Sequence, residues 1–168
     1  MQSGQKSAVR IVLDTNVMVS GLAWQGATAR LLDLALHGDV NVDLLSSAAL
    51  LAEFRNVVTR RKFVKKLTST SRVADDLIEQ YIGMVRMVAP ADVPPTVRED
   101  PADDAVLAAA AGGDAHLIVT GDDHLLKLRR FRQILIVRCA SALTMLGGPK
   151  RRSPGRSPPK GGRHPRRL

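Results

Sequence analysis

Short aliphatic runs alternate along this chain with longer stretches in which apolar residues return every three or four positions. The run VRIVL at 9–13, ended by Asp14, predicts a buried first strand. A Gly-containing loop is expected next, through Ser20, Gly21 and Gly26. In ATARLLDLALHG, Leu31, Leu32, Ala35 and Leu36 recur at helical spacing before Gly38 stops the helix. VNVDLL at 40–45 reads as a second strand. Ser46 or Ser47 can cap a helix through Arg60 with one stripe of Leu50, Leu51, Phe54, Val57 and Val58.

After the basic stretch RRKFVKK and the polar connection LTSTS, a third long helix is expected to about Val85. Residues 86–89 suggest a brief strand closed by Pro90. Asp100 followed by Pro101 reads as N-cap and first helical residue of an Ala-rich helix that stops at Gly112 and Gly113. HLIVT (116–120) predicts a strand, GDDHLLKL a turn into a short helix, ILIV (134–137) the last strand and SALTML the last helix. Strands alternating with helices imply an α/β fold with a parallel sheet covered on both faces.

Composition agrees. The 168 residues suffice for one domain, and 45% are apolar, yet Trp24, Phe54, Phe63, Tyr81 and Phe131 are the only aromatics. A core of Leu, Val, Ile and Ala suits helices packed on parallel strands. The net charge of +9 is unevenly placed. Eight Lys and Arg and no acid lie in residues 149–168, from Lys150 to Arg167, whereas the other 148 residues carry 17 basic and 16 acidic side chains. The chain therefore divides into a nearly neutral domain over 7–147 and a basic Pro/Gly/Arg-rich tail over 148–168. The tail has too few apolar residues to offset ordering entropy, so disorder is expected there. It is either a polyanion-attracting arm or a solvated, solubilising extension. One cysteine, Cys139, permits no intramolecular disulfide. No signal peptide or membrane-length apolar run is present, so a cytoplasmic location is expected.

The candidate chemistry lies in four carboxylates at the junctions between elements: Asp14, Glu53, Asp104 and Asp122. In open parallel sheets, ligands bind beyond the carboxyl ends of the strands, where strand order reverses. Asp14 and Asp122 follow their strands directly, and Asp104 falls in the first turn of a helix facing the same edge. Glu53 sits about two turns into its helix, beside the apolar stripe. Gathered there, the four acids would repel one another unless a hard divalent cation joined them, and such a site hydrolyses phosphodiesters. Each acid also has a local role open to it: turn formation for Asp14 and Asp122, helix-dipole stabilisation for Asp100, Asp103 and Asp104, and solvation for Glu53. The expectation stands or falls on a shared acidic hollow.

The ordered blocks LDTNVMVSGL (13–22), LLSSAALLAEFRNVVTRRKF (44–63) and EDPADDAVLAAAAGGDAHLIVTGDDHLL (99–126) resemble those of the PIN-domain ribonucleases. The closest likeness is to the bacterial subgroup of toxin components in toxin–antitoxin pairs. The resemblance covers about residues 9–147 and implies a three-layer α/β/α PIN-like fold with a central parallel sheet of four to five strands. It implies that Asp14, Glu53, Asp104 and Asp122 hold Mg²⁺ or Mn²⁺ and cleave RNA. Asp104 is preferred to Asp103 because the family's third acid immediately precedes an x-x-Leu-Ala-Ala run. Many relatives carry a further acid two residues after the fourth, where this chain has His124 and only the adjacent Asp123 could substitute. Thr15, Asn16 and Thr120 would orient carboxylates or contact phosphate, with Asp100, Asp103 and Asp123 as supporting acids. Arg60, Arg61, Lys62, Lys65 and Lys66 could track an RNA backbone, or be a solvated helix end. An antitoxin partner and a homodimer are implied by the resemblance alone.

Three alternatives remain. A PIN-like module could bind RNA or protein without catalysis. A haloacid-dehalogenase-type phosphatase would need a second Asp two residues after Asp14, where Asn16 stands, and a late Lys. A dinucleotide-binding domain lacks its Gly-rich loop after the first strand.

Overall fold

The computed structural model describes residues 7–97 and 100–147. The expectation of a disordered basic tail at 148–168 lies outside the described residues.

Six strands form one sheet in the order β3-β2-β1-β4-β6-β5. They are β1 (Val9–Leu13), β2 (Val42–Ser46), β3 (Arg86–Met87), β4 (Leu117–Val119), β5 (Arg130–Phe131) and β6 (Ile134–Val137). All neighbours are parallel except the β5–β6 pair, which is antiparallel. The expectation of an entirely parallel sheet of four to five strands thus gains a short antiparallel edge. It is illegible in sequence because a two-residue Arg-Phe strand has no periodicity, and the flanking Arg129 and Arg132 adopt positive φ without the usual Gly or Asn.

Among the described residues, eight helices surround the sheet: α1 (Thr15–Ala23), α2 (Ala27–His37), α3 (Ala48–Val58), α4 (Arg61–Thr68), α5 (Ala74–Met84), α6 (Pro101–Gly112), α7 (Asp123–Leu128) and α8 (Cys139–Gly147). Successive strand residues point to opposite faces. Ile11, Leu13, Leu117 and Val119 pack with α1, α2, α3, α5 and α8 on one side, including Phe54, Leu77 and Tyr81. Val12, Leu45, Ile118, Ile134 and Ile136 pack with α6 and α7 on the other, including Val106, Leu107 and Leu125. The result is a three-layer α/β/α sandwich.

The expected loop after Asp14 is instead helix α1. Its Thr15, Val17, Met18, Val19, Leu22 and Ala23 are all buried, so no polar face marks it as amphipathic. Gly21 permits the close approach of α2. A Cβ there would lie 2.5 Å from Leu32 Cδ1 and 3.2 Å from the Thr28 carbonyl oxygen. Trp24 is half-buried and tilts against Phe63, with ring centroids 6.0 Å apart. That contact ties α4 to the far end of α1, about 15 Å along the helix axis from Asp14. No helix among the described residues is long and apolar enough to cross a membrane.

Candidate metal centre

Strand order reverses between β1 and β4, and the chain leaves both strands toward the same edge. The Asp14 N–H donates to the Val119 carbonyl at 3.0 Å, which locks the two strand ends together. Asp14 is 7% exposed. Its Oδ1 accepts the Val17 N–H at 2.8 Å and caps α1, while its Oδ2 accepts the Thr120 hydroxyl. Thr120 in turn accepts the Asp122 N–H at 2.9 Å, so one hydroxyl couples two acids. Asp122 caps α7 through Oδ1, which takes the His124 and Leu125 N–H groups at 2.7 and 3.3 Å. Asp100 caps α6, accepting the Ala102 N–H at 2.9 Å. Glu53 Oε2 accepts the Thr15 hydroxyl at 2.8 Å, across a separation of 38 residues.

These groups line one small hollow of about 50 Å³, shared by Asp14, Thr15, Asn16, Glu53, Asp100, Asp103 and Asp122 with the apolar floor of Ala102 and Val106. Among the described residues no Lys or Arg lines it. The shared acidic space expected from sequence is present, with one exchange of member. Asp104 turns away, and its Oδ1 accepts the Thr96 and Val97 N–H groups at 3.1 and 3.0 Å. Asp103 occupies the hollow in its place. Consecutive residues on a helix point about 100° apart, so only one of the pair can face the site. The sequence register before Leu-Ala-Ala carries no information on that rotation.

Asp103 is the most strained acid electrostatically. It is 7% exposed, and its Oδ2 is buried with no hydrogen-bond partner. Burial, followed by the charges of Asp122, Asp100 and Asp14, pushes its carboxyl up to about 7. Asp14 is also raised, chiefly by burial, despite the hydrogen bonds from Thr120 and Val17 that oppose the shift. An orphaned buried carboxylate oxygen among like charges is the environment a cation corrects. The donor set of two buried and three half-buried carboxylates therefore fits a divalent metal ion.

The remaining candidates divide. Thr15 and Thr120 hold carboxylates, and exposed Asn16 lines the rim. Asp123 lies outside the hollow, exposed and paired with Arg138 at 2.9 Å. It does not take the place of the relatives' extra acid, because the first turn of α7 aims it outward. His124 is partly exposed beside the hollow, its Nδ1 3.7 Å from Asp122 Oδ1. Arg60, Arg61, Lys62, Lys65 and Lys66 are all exposed on and beside α4, at the end of α1 remote from Asp14.

Sequence reasoning missed a second space beside the hollow. A groove of about 540 Å³ shares Asp14, Asn16 and Asp122 with it and continues past Ser20, Thr28 and Thr120 to Arg138 and the start of α8. Nothing in the pattern around Arg138 marks it, since its place depends on β6 lying next to β4.

A family model described as PIN domain matches residues 10–124. No curated protein matches the chain. Among solved structures, VapBC2 from Rickettsia felis bound to a DNA fragment from its promoter is similar, with a TM-score of 0.50 and 14% identity, over 76% of this chain and 96% of that one. At that identity the likeness concerns the fold.

Proposed function

The chain belongs to the PIN-domain family, and on that premise we propose that it is a metal-dependent endoribonuclease, the toxin of a toxin–antitoxin pair. The observation that carries this reading is the convergence of Asp14, Glu53, Asp103 and Asp122 on one hollow in which a buried Asp103 oxygen has no partner. Asp14, Asp103 and Asp122 would hold Mg²⁺ or Mn²⁺, which polarises a phosphoryl oxygen and makes a water nucleophilic near neutral pH.

The chain's own groups do the rest. Thr120 ties the Asp14 carboxylate to the backbone of Asp122, whose own carboxylate is held separately by the His124 and Leu125 N–H groups. Glu53, held by Thr15 at the half-buried rim, orients the attacking water and accepts its proton. Attack in line with the departing sugar oxygen would leave a 5′-phosphate on one product. The groove of about 540 Å³ would seat nucleotides beside the scissile bond, with Arg138 in its lining available to a backbone phosphate. So few aromatics are available that backbone contact, not base stacking, would dominate binding. Arg60, Arg61, Lys62, Lys65 and Lys66, exposed on and beside α4, would meet a longer RNA away from the reacting phosphate.

An antitoxin segment laid into the acidic hollow, and a second copy of this chain, complete the proposed assembly. The similar VapBC2 structure, described with promoter DNA, lends support to a partner protein. The test is cleavage of single-stranded RNA by purified protein with Mn²⁺ or Mg²⁺, with EDTA and with Asp14→Asn. Cleavage that persists undiminished in EDTA refutes the metal mechanism. RNA binding with no cleavage under any ion favours the non-catalytic module.

A further inference from the structure

His124 stands two residues after Asp122 in the first turn of α7, with its ring beside the carboxylates of the hollow. Asp103, Asp122 and His124 each place one ligand atom within 4.8 Å of the others. A cation with bonds of about 2.1 Å spans ligand atoms up to about 4.2 Å apart, so a small side-chain adjustment closes the set. The backbone supports that geometry. The His124 N–H is bound to Asp122 Oδ1 at 2.7 Å, which fixes the root of the imidazole beside the acid it would join. The buried, unpartnered Asp103 Oδ2 independently indicates a missing positive ligand at this point. A solvent-screened ion pair between His124 and Asp122 would account for their proximity but not for that orphaned oxygen.

From this geometry we propose that His124 supplies a nitrogen ligand to the metal centre and biases it toward first-row transition dications over Mg²⁺. The inference rests on reading the hollow as a divalent-cation site. Mg²⁺ demands near-octahedral oxygen coordination and sheds water reluctantly. Imidazole suits the transition series, with affinity rising from Mn²⁺ toward Co²⁺ and beyond. An all-carboxylate site lacks that discrimination, so His124 changes which ion the chain selects without altering the fold.

The experiment is calorimetric titration of the full chain with MnCl₂ and MgCl₂, joined by the visible absorption of bound Co²⁺. Wild type is expected to bind Mn²⁺ at least about tenfold tighter than Mg²⁺. His124→Ala should weaken Mn²⁺ binding about tenfold, leave Mg²⁺ within about twofold and alter the Co²⁺ spectrum. His124→Asp should strengthen Mg²⁺ binding relative to wild type and narrow the ratio. Asp103→Asn should weaken both ions, which locates them in the hollow. If both ions bind but His124→Ala changes neither the ratio nor the spectrum, the role of His124 is overturned and the cation reading survives. If neither ion binds wild type, the cation reading fails and this inference falls with it.

Discussion

Two clusters of charge, one mixing arginines with aspartates and one made of carboxylates, meet opposite fates in this molecule. Around the second residues of β1 and β2, a cavity of about 540 Å³ is lined by Arg10, Arg86 and Asp114. Arg86 closes on Asp43 at 2.7 Å, and Arg10 donates to the Asp114 carbonyl at 2.7 Å beside His116. There Arg86 has a carboxylate partner, Arg10 has a backbone carbonyl, and Asp114 is exposed to solvent. At the carboxyl edge, Asp14, Asp103, Asp122 and Glu53 meet hydroxyls, backbone N–H groups, one another and the His124 ring, with no Lys or Arg among the described residues lining the hollow. Matched charge is structural and worth little, whereas unmatched buried charge persists only with something added. The difference separates scaffold from site without reference to any motif.

The sharpest way to break this contrast is Asp14→Asn, expected to lower RNA cleavage about 10²–10³-fold in a single-turnover assay while the circular dichroism spectrum is retained. Full activity in that variant would remove Asp14 from the chemistry. Next comes the pair of adjacent acids. Asp103→Asn should lower cleavage about 10²-fold. Asp104→Asn should leave cleavage within about tenfold but cost about 1–3 kcal/mol in denaturant unfolding, through loss of its charge on two backbone N–H groups. The reverse result would reinstate Asp104 as the ligand.

Stability against pH should then distinguish the two clusters. Asp103 has a folded-state carboxyl raised from 3.8 to about 7, and Asp14 is raised as well. The folded state therefore binds protons more tightly than the unfolded one. The stability associated with those protons is complete below about pH 4 and is lost as pH rises toward 7. In EDTA, the contribution of these two acids to the melting temperature should fall across that window. Asp103→Asn should flatten the fall and raise the metal-free melting temperature at pH 8. A melting temperature lowered by Asp103→Asn at pH 8 would contradict the account. At the other cluster the effect is small: Arg86→Ala should cost at most about 1 kcal/mol, less in high salt, with cleavage unchanged. A larger loss would mean the pair is more than a screened surface contact.

Much of this architecture was legible from pattern. VRIVL and ILIV are aliphatic runs with clear limits, and both are strands as expected. Ser47 and Asp100 announce α3 and α6 by capping chemistry, and both side chains do cap. Helix α1 escaped because burial on nearly all sides erases the polar–apolar contrast that reveals a helix. The basic stretch read as a candidate RNA contact became helix α4, and its position came from a Trp24–Phe63 contact that no local signal encodes.

Local residue order was enough to specify the alternation of strand and helix and to nominate acids at strand ends, because propensity, capping and burial period act over a few neighbours. Whether those acids meet is a question of strand order, which long-range packing settles. The same holds for the rotation of α6 that admits Asp103 and excludes Asp104, and for the turn of α7 that sends Asp123 to Arg138 and leaves His124 beside Asp122. A rotation of one residue about a helix axis leaves the apolar pattern almost intact yet exchanges which carboxylate is buried. Such a choice is made by the surfaces the helix packs against.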